Sequence, residues 1–360
     1  MKCYFTKLTA LLLSFLIMSS LCVTGIHAED DSSNNSALIA YTTEVLPQVL
    51  ALHDINVLES PDAIILGRAV PTYYIDGAVL KNAECEMFPL FINGTVRAII
   101  RRHIKSDGSV GYSCRLDARE IYNINANEGA FVYLDGKPYL INSRTISVNS
   151  VSLSNNPLIS ASNIATIQYA TLSPQNGTPI SLPAVAMLSN AEEDEIVVPL
   201  VWNLDANNTP SCCGGLCWAA CFASLANHFA NGSYTAYSFH NSVNCSLFNR
   251  DYETYTIVFL RNAGVNTPQY FNYLGLTYNR LKGYIDEGSV ALLHVWDEET
   301  NYSHYVIAYG YLKTSSGVKR VKYMDPNEGR CITDIPSSGV LEILVNGIVW
   351  CEEWAHLECY

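Results

Sequence analysis

The chain has 360 residues, a length that accommodates two domains of ordinary size. Hydrophobic residues make up 49% of it and charged residues 15%, a composition that excludes an intrinsically disordered chain. The formal net charge of -13 argues against nucleic-acid binding, because phosphate backbones are held by clustered lysine and arginine side chains.

The first 28 residues have the pattern of a secretory signal peptide. Lys2 and Lys7 precede an uncharged apolar stretch at 8–23, and Ala28 offers a cleavage position before the acidic residues 29–31. The alternative is an uncleaved membrane anchor, but the apolar stretch is shorter than the roughly 20 residues that a spanning helix needs. We therefore expect a secreted or cell-surface protein that has no membrane attachment after cleavage.

The N-terminal region, residues 29–195, is predicted to be rich in β-structure. A short helix is indicated around 42–55. Beyond it, Asp-Gly and Asn-Gly pairs stand between apolar runs at 76–77, 93–94, 107–108 and 135–136. Such pairs tolerate the positive φ angles of tight hairpin turns, so they predict an antiparallel β-meander from 64 to 142.

Two further features of this region lead to predictions. Cys85 and Cys114 are its only cysteines, which favours a disulfide between them, the alternative being two free buried thiols. The basic stretch 97–105 alternates in a way that predicts a strand with one charged face, and we expect that face to be solvated.

A domain boundary is predicted near 190–197. The acidic run Glu192–Glu195 is typical of an exposed linker, and the residue pattern changes after it. We therefore divide the mature chain into a β-rich domain, 29–195, and a second domain, 196–360.

The second domain is predicted to be of the α+β class. Residues 217–229 lack Gly and Pro and are entered through Gly214 and Gly215, which indicates a helix. A second helix is predicted over 276–288, with Thr277 as its N-cap and Gly288 at its end. Runs of β-branched and aromatic residues predict strands at 290–296, 304–312, 318–324 and 339–345.

Four cysteines, Cys212, Cys213, Cys217 and Cys221, are clustered at the start of the first of these helices. A zinc site would combine the last three with His228, but this spacing fits no common structural zinc pattern. Disulfides are a second interpretation: Cys212 or Cys213 with Cys245, and pairs among Cys331, Cys351 and Cys359. Neither interpretation prevents one cysteine of the cluster from being reactive.

A nucleophilic cysteine is the third interpretation. Cys217 falls at the first turn of its helix, where unpaired N–H groups and a partial positive charge favour thiolate over thiol. A general base is then required, and His304 is placed at the mouth of an apolar strand. The next predicted strand ends at Asp325, so Asp325 or Asn327 would return beside His304 and fix its tautomer. Competing bases are His228, His240 and His294.

These segments, taken in order, resemble the papain-like cysteine peptidases, especially the bacterial C39-like group. The resemblance is carried by VPLV at 198–201, LCWAACFASLANHF at 216–229, LTYNRLKGYIDEG at 276–288, and SHYVIAYGY at 303–311 with YMDP at 323–326. It covers roughly residues 197–335 and implies a Cys-bearing helix packed on an antiparallel sheet.

The resemblance also implies roles for individual residues. Cys217 would be the nucleophile, His304 the base and Asp325 the residue that orients it. The family places a Gln shortly before the cysteine to complete the oxyanion hole, but none occurs here between 176 and 216. Asn203, aligned on VPLV, or Ser211, aligned on spacing, would take its place.

The function implied is that of a secreted cysteine endopeptidase made as a zymogen. Its substrate would be polypeptide, its N-terminal region would be an inhibitory prodomain cut near 190–197, and we expect a monomer that needs no metal or cofactor. Two alternatives remain open: an amidase or other cysteine acyl-transfer enzyme acting on cell-surface material, and a non-catalytic secreted binding protein that retains the fold.

Overall fold

The structure is a computed structural model of the chain. It describes residues 31–53, 55, 64–76, 79–83, 85–105, 108–118, 128–134, 137–141, 147–148, 151–152, 167–181, 192–195, 215–248, 251–297, 302–314, 316–336, 340–345 and 349–360. The chain divides into two compact units, Met1–Ala40 and Tyr41–Tyr360. Among the described residues, no helix has both the length and the apolar character needed to cross a membrane. The predicted signal peptide lies outside the described residues.

The helices are α1 Asp31–Leu52, α2 Cys217–Phe229, α3 Ala236–Ser242, α4 Cys245–Phe248, α5 Tyr252–Asn262 and α6 Tyr278–Asp286. Local signals explain where they begin. The Thr277 hydroxyl accepts a hydrogen bond from the Arg280 N–H at the start of α6, as predicted for an N-cap, and Gly288 beyond its end has a φ of 83°. The predicted helices at 42–55, 217–229 and 276–288 are confirmed, the first as part of a longer helix.

The strands of the N-terminal region are β1 Ile64–Leu66, β2 Thr72–Asp76, β3 Val79–Asn82, β4 Cys85–Ile92, β5 Thr95–Ile104, β6 Val110–Arg115, β7 Glu128–Leu134, β8 Lys137–Ile141, β9 Ser147–Val148, β10 Val151–Ser152, β11 Ala170–Thr171, β12 Thr178–Pro179 and β13 Glu192–Glu195. Those that follow are β14 Val290–Asp297, β15 Tyr302–Lys313, β16 Lys319–Asp325, β17 Gly329–Asp334, β18 Glu342–Val345 and β19 Val349–Cys359. The strands predicted after residue 289 are confirmed, and α3–α5, β17 and β19 add to the predicted elements.

One large sheet contains strands from both halves of the chain. Its order is β12-β1-β4-β5-β6-β17-β16-β15-β14-β19-β18, with β13 paired to β15, and its pairings are antiparallel. A smaller sheet has the order β11-β7-β2-β3, with β8 also paired to β7. The α+β class predicted from the sequence is confirmed.

All of the predicted Gly-containing turns join antiparallel strands: β2 to β3, β4 to β5, β5 to β6 and β7 to β8. In the second of these turns, Asn93 and Gly94 have φ angles of 53° and 74°, the left-handed conformation that this dipeptide tolerates. A single meander is wrong, however, because the strands are divided between two sheets and β2 runs parallel to β7. Turn residues encode the hairpins, whereas the partners of each hairpin are set by non-local packing.

The predicted disulfide between Cys85 and Cys114 is wrong, since both are buried thiols that form no disulfide. Cys85 pairs with His103 of β5, and Cys114 pairs with Ile100 on the other side of that strand. Three residues separate these partners, which places the two sulfurs on opposite faces of the sheet and about 10 Å apart along it. A disulfide needs Cα atoms within roughly 7 Å. Cys331, Cys351 and Cys359 form no disulfide either, so the alternative pairs among them are not present.

The acidic run at 192–195 is not a linker but strand β13, which pairs with β15 from Glu192↔Lys313 to Glu195↔Gly310. The main sheet continues across the predicted boundary, because β6 pairs with β17 from Ser113↔Thr333 to Arg115↔Cys331. Residues on both sides of 190–197 therefore belong to one hydrogen-bonded sheet.

The charged face of the stretch 97–105 is also not solvated as predicted. It forms β5, in which Arg101 is 1% exposed and His103 is 2% exposed. An arginine is buried in this way when a carboxylate partner compensates its charge, and Arg101 has such a partner in Glu328.

Candidate active site

Helix α2 packs against strand β15 and brings its first residue to the site. Phe222 contacts Tyr305 edge-on with ring centroids 5.8 Å apart, and Ser224 contacts the Met324 sulfur of β16. The helix is buried from Trp218 to Ala226, whereas Cys217 at its start is partly exposed. The small and apolar residues of 217–229 thus fix the helix on the sheet and leave its N-terminal sulfur accessible.

The site forms where β16 ends beside β15. Their ladder covers Ile307–Lys313, whereas β15 begins at Tyr302, so its first residues extend past the β16 ladder. Helix α2 uses this part of β15: the Cys221 thiol donates to the Tyr305 carbonyl at 3.3 Å, and Cys217 hydrogen-bonds with the Tyr305 backbone. This edge contact fixes the position of Cys217 relative to β15.

His304 lies next to this contact and is held by Asp325 at the end of β16. Its Nε2 is 3.1 Å from Asp325 Oδ1, and each of the two side chains is 1% exposed. The Asn327 N–H donates to the same carboxylate oxygen at 2.8 Å. Asp325 therefore contacts the imidazole through Nε2, which leaves Nδ1 on the side of the ring away from this carboxylate.

Cys217 and His304 interact electrostatically, and each shifts the pKa of the other. Burial acts to raise the pKa of Cys217, but the interaction with His304 outweighs burial and lowers that pKa. Burial acts to lower the pKa of His304, but the charges of Asp325 and Cys217 raise it to about 10. Both shifts favour a thiolate–imidazolium pair at neutral pH.

The other described thiols are inert by comparison. Cys85, Cys114 and Cys331 are buried, and burial raises the pKa of each to about 12. Burial likewise raises the pKa values of Cys221, Cys351 and Cys359. Among the described cysteines, Cys217 alone combines partial exposure with a lowered pKa, which are the two properties that make a thiol reactive.

The competing histidines are placed differently. His294 of β14 stacks on Tyr305 at 4.7 Å between ring centroids, and burial lowers its pKa to about 4, so it is neutral. His240 of α3 lies beside the Trp218 ring, and His228 is in the last turn of α2, against Phe229. Neither of these two interactions involves the Cys217 side chain.

Several predicted residues lie outside the described residues: Asn203 and Ser211, the two oxyanion candidates, and Cys212 and Cys213. The side chain of Cys245 is likewise not described. Across the described part of the chain, no group of three or more His, Cys, Asp or Glu side chains is arranged to hold a metal ion.

Sequence reasoning missed Arg101, Tyr133 and Glu328, which meet behind the turn that follows Asp325. Arg101 and Glu328 form a buried ion pair, and the Tyr133 hydroxyl donates to Glu328 Oε1 at 3.4 Å. The basic pattern of 97–105 was a signal for this contact, but no local feature connects it with a residue more than two hundred positions away.

The chain matches no known family model, and no curated protein is significantly similar to it. Interpretation of the site therefore rests on its geometry.

Proposed function

We propose that the protein is a secreted cysteine endopeptidase in which Cys217, His304 and Asp325 act as nucleophile, general base and orienting residue. The observation that carries the proposal is that the partly exposed Cys217 sulfur interacts electrostatically with His304, whose Nε2 lies 3.1 Å from the buried Asp325 carboxylate. A nucleophile in contact with a base that a third group orients is the arrangement that covalent acyl transfer requires.

The proposed reaction begins with attack of the Cys217 thiolate on a peptide carbonyl. The tetrahedral intermediate expels the amine, which takes a proton from the His304 imidazolium, and a thioester remains on Cys217. His304 then accepts a proton from water as the water attacks the thioester, and the carboxylic acid product leaves with the Cys217 sulfur restored.

The start of α2 supports stabilisation of the oxyanion. The N–H of Cys217 belongs to the first turn of the helix, whose amides have no acceptor within the helix. It is therefore a donor for the developing negative charge, and Asn203 is the proposed second donor. Asp325 contributes by holding the imidazole tautomer and by favouring its charged form.

The test is site-resolved alkylation of the native, non-reduced protein with iodoacetamide and with the epoxide inhibitor of papain-like enzymes, followed by peptide mass spectrometry. Selective modification of Cys217, together with hydrolysis of a fluorogenic casein, is expected. Cys221→Ala is the matched control, because it removes a thiol from the same helix and leaves Cys217 in place.

The outcomes separate the candidate functions. Selective labelling without casein hydrolysis, but with incorporation of an amine acceptor, would favour the acyl-transfer alternative. Labelling of Cys217 no faster than that of the buried thiols would contradict the proposed nucleophile and favour a non-catalytic binding protein.

A further inference from the structure

A buried ion pair connects the N-terminal region with the turn that follows Asp325. Arg101 lies on β5, and Glu328 lies in the turn at 326–328 between β16 and β17. The two side chains are 1% and 0% exposed, and Tyr133 of β7 adds a hydrogen bond to Glu328 at 3.4 Å. Two strands that precede the predicted boundary therefore hold one residue of this turn.

The turn is short, so a change in the position of Glu328 also changes the position of Asp325. The Glu328 N–H donates to the Asp325 carbonyl at 3.2 Å, and the Asn327 N–H donates to the Asp325 carboxylate at 2.8 Å. Asp325 also pairs with Gly329, whose φ of 97° closes the hairpin. Only two residues therefore separate Glu328 of the ion pair from Asp325, whose carboxylate contacts His304.

The ion pair is buried beside an apolar cluster. Val70, Met87, Ile99 and Phe131 belong to the buried cluster that contains Tyr133. The guanidinium of Arg101 is also close enough to Tyr323 and Cys331, on the strands that flank the turn, to influence their pKa values. In such surroundings an unpaired charge is strongly unfavourable, so Arg101 and Glu328 hold each other in place.

We propose that the N-terminal region is a permanent part of the active site, in which Arg101 and Tyr133 are positioning residues that hold the 326–328 turn and so keep Asp325 against His304. This inference rests on the proposed roles of Asp325 and His304. It replaces the expectation that the N-terminal region is a removable inhibitory prodomain.

Strand pairing in the large sheet also supports a permanent N-terminal region, independently of the ion pair. β6 and β17 share a ladder, and the Leu116 N–H continues it with a bond to the Arg330 carbonyl at 2.9 Å. Loss of the N-terminal region would expose the β17 edge and would remove the apolar side chains that cover Leu344. A cut near 190–197 would therefore leave two fragments bound to each other.

The first experiment is a specific cut. A recognition sequence for a site-specific protease is inserted between residues 200 and 201 of the full chain, and the cut protein is analysed by size-exclusion chromatography and by the alkylation rate of Cys217. We expect the two fragments to co-elute and the alkylation rate to stay within about twofold of the uncut value. Separation of the N-terminal fragment with a faster rate would overturn the inference and restore the removable prodomain.

This result is independent of the proposed reaction. If Cys217 is not selectively labelled before the cut, the proposed function fails. Co-elution or separation of the fragments still decides whether the N-terminal region is permanent.

The second experiment tests positioning through the pH profile of Cys217 alkylation. His304 is surrounded by Cys217, Asp325 and His294, and these groups set its charge and that of the sulfur. Arg101→Met is expected to move the profile about one pH unit toward alkaline values, which lowers the rate at pH 6 about tenfold. Tyr133→Phe is expected to move it in the same direction by less.

Arg320→Met is the matched control, because Arg320 is a buried arginine of the same sheet that pairs with Glu44 and Asp334 instead of the turn. It is expected to lower the melting temperature without moving the pH profile. If Arg101→Met does not fold, the double variant Arg101→Met/Glu328→Leu removes both charges and serves in its place. An unchanged profile in a folded variant would refute the positioning role.

Discussion

Two strands of the same sheet, one from each region, bury different kinds of side chain. Strand β14 of the C-terminal region is buried from Val290 to Val295, a run that is apolar except for His294, and its neighbours are β15 and β19. Strand β5 of the N-terminal region buries Arg101 and His103 together with Ile99 and Ile100. Apolar side chains can be buried against any apolar surface, whereas a buried arginine requires a carboxylate at one particular position.

This difference shows how the two regions depend on each other within the sheet. The partner of Arg101 is Glu328, which the C-terminal region supplies beside its candidate active site. In the proposed function, the C-terminal region supplies the reactive groups, and the N-terminal region supplies the charge that holds the turn behind them.

The largest expected effect is confined to the C-terminal region. Cys217→Ala should abolish casein hydrolysis, a loss on the order of 10⁴-fold or more, because no other group replaces the nucleophile. Initial rates with a fluorogenic casein measure it. Cys221→Ala should retain most of the activity, and equal loss in both variants would show that Cys217 acts by supporting the helix instead of reacting.

Asp325→Asn should lower the hydrolysis rate by about 10²–10⁴-fold, because the imidazole loses the group that orients it and favours its charge. The pKa of His304 is raised to about 10, mainly by Asp325 acting against burial, so the imidazolium persists through neutral pH. The stability that the protonated His304 adds to the folded state is fully present below pH 6.5. It is lost as the pH rises through about 10.

With the carboxylate removed by Asp325→Asn, burial dominates and the pKa of His304 falls. The alkaline limb of activity should therefore move to lower pH, which a pH–rate profile measures. His294→Gln provides the comparison, since His294 contacts Tyr305 instead of the thiol, and an alkaline limb that stays in place in Asp325→Asn would contradict the assigned role.

The contact between the regions should be visible in stability. Arg101→Met should lower the free energy of unfolding by about 3–5 kcal/mol, because it leaves Glu328 buried and unpaired. Arg320→Met should cost less, since its partners Glu44 and Asp334 are 26% and 33% exposed and remain partly hydrated. Urea unfolding of both variants measures the loss of unfolding free energy in each. A larger loss in Arg320→Met than in Arg101→Met would count against a buried pair at Arg101.

The smallest effects concern local backbone conformation in the two regions. Gly94→Ala should destabilise by about 1 kcal/mol, because Gly94 has a φ of 74° in the β4–β5 turn. Gly283→Ala should stabilise by about 0.5–1 kcal/mol, because Gly283 is inside α6 and an added Cβ meets no atom within 4 Å. Thermal unfolding compares them, and stabilisation by Gly94→Ala would be inconsistent with this turn.

Prediction from the sequence succeeded where the deciding contacts are close along the chain. The turn at Asn93–Gly94, the Thr277 cap and the helix at 217–229 follow from residues within a few positions of one another. It failed where the deciding partner is distant. Cys85 and Cys114 are kept apart by their pairing register with β5. Residues Glu192–Glu195 form a strand because they pair with β15.

The sequence by itself determined the helix that begins at Cys217, the strand that contains His304 and the hairpin that returns Asp325 to it, because caps, turns and residue periodicity act locally. Only the tertiary structure decided that β6 joins β17 and that Arg101 faces inward to Glu328. The physical reason is that strand pairing and charge burial depend on partners brought together by folding of the whole sheet, for which no local signal exists.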